Sequence, residues 1–173
     1  MSVETIFRIH LVLGYMAWLL AFGVYIWPKL KAMDHFEAQR AIATLHSFRF
    51  FGLVFIVPGV VSPDLPQTFA AFAAYGDFAT GVLALLALAL VRTRPLFWAL
   101  VVAYNLVGIG DLLVDYYHAT MAGLPAVAGE LGGMYVIPII YVPILMITHV
   151  ASFYLLLRSL RAAQASAAGA AAI

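Results

Sequence analysis

Long apolar runs separated by short polar interruptions make up most of the chain, and the run length is informative. A helix rising 1.5 Å per residue needs about 20 apolar residues to cross the hydrocarbon of a bilayer. Five stretches approach that length, at residues 6–27, 43–61, 69–91, 96–118 and 134–157. The second half of the third, "TGVLALLALALV", is the cleanest, and the second stretch is the weakest because "HSFR" interrupts its start. Backbone polar groups in hydrocarbon must be satisfied within their own segment, and the alternation of barrel strands is absent, so each run predicts a helix. The expected fold class is therefore an all-α membrane protein. A bundle of five transmembrane helices forms one domain over 1–161, and an Ala-rich tail follows at 162–173.

Composition points the same way. Apolar residues are 65% of the 173 and charged residues 10%, too few to build a solvated shell, so the lipid bilayer is the expected partner of the surface. A net charge of +1 without a basic run speaks against nucleic acid. Without cysteine there are no disulfides, thiolate metal sites or cysteine nucleophiles. The opening "MSVETIFRIH" lacks a basic leader and a small-residue cleavage site, so the first run is expected to be retained.

The basic residues set a direction. Lys29, Lys31, Arg40 and Arg49 flank the first connection, Arg92 and Arg94 the third, and Arg158 and Arg161 follow the last run. Only Arg8 falls on the other side, so eight of the nine agree. Loops rich in Lys and Arg stay cytoplasmic, which predicts the N-terminus outside, the C-terminus cytoplasmic, and a multi-pass protein of a bacterial-type cell inner membrane. Pro58, Pro63 and Pro66 close the second run, and Pro138 and Pro143 kink the fifth, freeing carbonyls that need local partners.

Polar residues inside the runs carry the candidate chemistry. Tyr104, Gly108, Asp111, Asp115 and His118 are spaced by 4, 3, 4 and 3, one stripe of a helix with Asn105 at its flank. Asp111 falls about 10 Å below the interface at helical rise, so it is expected to face the bundle and either to have a partner or to sit protonated. Asp115 and His118 are expected nearer the interface. Asp77 shares a face with Ala73, Gly76, Thr80, Ala84 and Ala87, a small-residue surface that permits close helix approach. Arg8 is the expected counter-ion for Asp77 or Asp111.

Several functions fit this pattern. The leading one is non-enzymatic binding of a small amphipathic or hydrophobic ligand in a polar-floored pocket near the outer leaflet. Arg8, Tyr75, Asp77, Tyr104, Asn105 and Asp111 would bind it or handle protons. A second is electron transfer by b-type haem, with His10 and His118 as one axial pair and His46 and His149 as the other. There, Arg8 and Arg49 would meet propionates while Gly14 and Gly52 admit the macrocycle. A third is a structural or assembly subunit whose polar groups only fix helix register. A transport path through five helices would call for a homo-oligomer. No Ser-His-Asp ordering, Walker glycine pattern, zincin motif or EF-hand loop is present.

Overall fold

The computed structural model describes the backbone of residues 1–171 and the side chains of all of these except 162, 163 and 165–171. Helices make up most of the described chain: α1 (Val3–Ala21), α2 (Trp27–Ala32), α3 (His35–His46), α4 (Gln67–Ala89), α5 (Arg94–Met121) and α6 (Val142–Ala171). Two 3₁₀ stretches, Ser47–Ile56 and Leu124–Tyr135, and two π-helical turns, Phe22–Ile26 and Ile137–Tyr141, complete the order. Among the described residues, four helices are long and apolar enough to cross a membrane: Val3–Ala32, Gln67–Ala89, Arg94–Met121 and Ile137–Arg161. The predicted run 43–61 is not one continuous helix. It begins in α3, passes into the 3₁₀ stretch and ends in the turns after Val57. The expected tail carries α6 as far as Ala171; its last two residues lie outside the described ones.

Each π turn has a cause two residues ahead of it. Pro28 and Pro143 lack an N–H, and each ring presses on the carbonyl four residues back, which a widened turn relieves. The carbonyls so freed find partners. Trp18 Nε1–H on α1 donates to Ile140 O at 2.8 Å, and Gly14 brings α1 onto Ile139 O, where a Cβ would clash. This docking ties the first helix to the last.

The 3₁₀ stretch sets the centre of the bundle. Three residues per turn bring i and i+3 into one column. Hence His46, Arg49, Gly52 and Phe55 are all buried, while Phe48, Phe50 and Phe51 face outward. The column packs on α4, whose small face of Ala73, Thr80, Ala84 and Ala87 is 2% exposed or less. At one end of the bundle Ser62 N–H donates to Glu130 O, joining the turns after Val57 to the 124–135 stretch. At the other, the Arg94 guanidinium lies 3.3 Å from the Phe36 ring centroid, closing the α4–α5 turn onto α3.

Candidate functional site

Arg49 is wholly buried, and its guanidinium is shared among three helices. Nε–H donates to Asp77 Oδ1 on α4 at 2.6 Å, and Nη2–H donates to Asp111 Oδ2 on α5 at 2.5 Å. Nη1 donates to Gly108 O at 3.2 Å and to His149 Nε2 on α6 at 3.1 Å. The planar fork suits this use, since its five donors point outward in fixed directions. Glycines open the space. A Cβ at Gly52 would run into the Asp77 carboxyl, one at Gly76 into that of Asp111, and one at Gly108 into Arg49 and the His149 ring.

The network continues toward α3. Because the arginine donates to Nε2, His149 carries its proton on Nδ1 and donates to Asn105 Oδ1 at 2.9 Å. Asn105 Nδ2 in turn donates to Val101 O at 2.8 Å. The His46 ring lies 4.0 Å from that of His149, centroid to centroid. Thr148 Oγ1 donates to Ile144 O, so it accepts from His46 Nε2 at 3.1 Å. A further buried pair lies beyond: Gln39 Nε2 donates to Ser152 O at 3.0 Å and Ser152 Oγ donates back to Gln39 Oε1 at 2.6 Å. His46 Nδ1 and the Tyr104 hydroxyl, both in fully buried residues, have no partner among the described residues.

On the other side of Asp77 the bundle holds a semi-enclosed cavity of about 110 Å³. Its wall is mostly aromatic and aliphatic, with Phe7, Phe55, Phe69 and Tyr116 among the lining residues. Asp77 and Asp115 are its two carboxylates. Asp115 Oδ1 is buried without a hydrogen-bond partner among the described residues. Tyr116 is held by its hydroxyl, 2.6 Å from that of Tyr15 on α1.

Against the sequence expectations, this geometry sorts the residues clearly. Asp77, Asp111 and Asn105 join one network, as their helix faces suggested. Arg8 does not join it. It is exposed and pairs with Glu4 one turn away at 2.6 Å, and Arg49 supplies the cation instead. Arg49 is accordingly not a loop charge. Tyr75 is 61% exposed and lies on a lateral groove beside Gly76 and Asp111, away from the cavity, and Tyr104 points into the histidine side of the network. Asp115, expected near the interface, lines the cavity.

The inner histidine pair stands ring against ring. Bis-imidazole ligation sets a macrocycle between two rings, yet the His46 and His149 rings touch, and their Nε2 atoms are engaged by Thr148 and Arg49. The other pair is apart: His10 Nδ1 meets Tyr135 Oη at 3.1 Å, and His118 stacks on Phe72 at 4.3 Å. Sequence reasoning missed Arg49 as the hub. The available signal was the spacing of three through His46, Arg49, Gly52 and Phe55.

A family model described as a domain of unknown function (DUF8737) matches residues 6–157, a span that includes every residue of the network and both carboxylates of the cavity. The chain belongs to that family. No curated protein and no solved structure gives a significant match.

Proposed function

We propose that this DUF8737 member is a non-enzymatic binding protein of the cell inner membrane. It would take a small amphipathic or hydrophobic molecule into the cavity beside Asp77. The long apolar helices supply four spans. The fifth is α3 with the 3₁₀ stretch, whose 12 and 10 residues extend about 38 Å at 1.5 and 2.0 Å per residue, more than the roughly 30 Å of hydrocarbon. With Arg49 removed from the loop count, Lys29, Lys31, Arg40, Arg92, Arg94, Arg158 and Arg161 still oppose Arg8 alone. That distribution supports an outer N-terminus and a cytoplasmic C-terminus, with the cavity toward the outer leaflet.

One observation carries the reading: an apolar cavity of about 110 Å³ with carboxylates in its wall. An apolar cavity of about 150 Å³ is enough to hold benzene. Native mass spectrometry of protein purified in mild detergent tests this reading, alongside an Ala119→Phe variant that fills the cavity. A small molecule retained by the wild type and lost from the variant is the expected result. Equal retention in both, or retention in neither, would contradict it.

The saturated contacts of Arg49 favour a second reading, in which the polar groups only lock helix register in a structural or assembly subunit. On that reading Asp115→Asn would alter stability and nothing else.

A further inference from the structure

Charge in the carboxylate half of the network does not balance. Arg49 is one cation, and it gives one N–H to Asp77, one to Asp111, and Nη1 to His149 and Gly108 O. Asp115, one turn beyond Asp111 on α5, is a third carboxylate with no salt bridge among the described residues. Arg8, outside the cavity lining, is engaged with Glu4 at the surface. His149 accepts from Arg49 and so adds no positive charge, and the tyrosine pair Tyr15 and Tyr116 is neutral. Asp77 is 4% exposed and gives one oxygen to Arg49; its other oxygen makes no further hydrogen bond among the described residues. Asp77 and Asp115 therefore line the cavity with acceptor oxygens that make no hydrogen bond to it among the described residues. Ionised carboxylates accept only, so whatever completes them must donate. A carboxyl group in a membrane bundle is completed either by a proton or by a cationic donor, and a protonated amine supplies both the charge and the hydrogen bond.

The rest of the wall specifies the remainder of that partner. Phe7, Phe55, Phe69 and Tyr116 offer ring faces and edges, which bury an apolar body and also attract a cationic head. An anionic or phosphate-bearing molecule would meet like charge at Asp115. At about 110 Å³ the cavity is smaller than the roughly 150 Å³ that holds benzene, so a ring-bearing partner would extend through its open side. We propose that the cavity recognises a small organic cation, a primary amine or amidine, with its charged head between Asp115 and the free oxygen of Asp77 and its apolar body among the aromatic rings. This rests on the binding reading above and names its ligand class.

Benzylamine and its neutral counterpart benzyl alcohol separate the two claims. Each is titrated onto the full chain in non-ionic detergent by saturation-transfer NMR. Benzylamine is expected to bind at least about tenfold tighter than benzyl alcohol, the size of a charge-assisted hydrogen bond. Asp115→Asn should bring the two probes to similar affinity, whereas Glu37→Gln, an exposed acid on α3, should leave the gap intact. Equal binding of the two probes by the wild type, or a gap that survives Asp115→Asn, would overturn the amine assignment while leaving a binding cavity. Binding of neither probe would instead count against the binding reading itself. Should Asp115→Asn fail to fold, benzoate decides on the wild type: exclusion supports the assignment, and affinity equal to benzylamine overturns it.

Discussion

Around Arg49 each charge has its partner, with Asp77, Asp111, Gly108 O and His149 all within 3.2 Å of the guanidinium. One helical turn along α5 from Asp111, an oxygen of Asp115 is buried beside a cavity, with no hydrogen-bond partner among the described residues. The two regions share Asp77, and each turns carboxyl groups into the bundle. The first is closed, and its energetics are internal to the fold. The second is open and gains only when something enters it. Substitutions in the closed region should therefore be read by stability, and those in the open region by binding.

The largest effect is expected at the hub. Arg49→Met leaves two carboxylates facing each other in the bundle, and should cost about 3–5 kcal/mol, the loss from breaking a buried pair on one side. Thermal unfolding in detergent measures it. Next come the notches: Gly52→Ala pushes a methyl group into the Asp77 carboxyl and should cost about 1–3 kcal/mol by overpacking. Trp18→Phe removes the donor to Ile140 O at the π turn, for a loss of about 1 kcal/mol in the same assay. Arg8→Ala breaks only an exposed pair one turn apart, and should shift stability by less than about 0.5 kcal/mol. A loss at Arg8 comparable to that at Arg49 would erase the distinction between a surface pair and a buried hub.

Much of the fold was readable because hydrocarbon thickness and helical rise leave few choices. The runs at 6–27 and 96–118 lie within long apolar helices, and those at 69–91 and 134–157 overrun theirs by two and three residues. The inward face of α4 was marked by Ala73, Asp77, Thr80, Ala84 and Ala87, and the network face of α5 by Asn105, Gly108 and Asp111. The run at 43–61 obeyed a different period. At about 100° per residue His46 and Phe55 fall on opposite sides, whereas at about 120° they align, so an α-helical reading scatters the column that holds Arg49. Arg8 was chosen as counter-ion from its depth along the sequence, but Glu4 at i−4 satisfies it locally. The contact of His46 with His149 was hidden for a related reason: equal depth on two helices says nothing about rotation, and rotation is set by the 3₁₀ turn.

The central claim is that Arg49 is the shared counter-ion of Asp77 and Asp111. It is tested most directly by comparing Arg49→Met with Arg49→Met/Asp77→Asn/Asp111→Asn in thermal unfolding. With both carboxylates removed, the stranded charge disappears, and the triple variant should regain a large part of the lost stability. Further loss in the triple variant, additive over the three sites, would contradict the account.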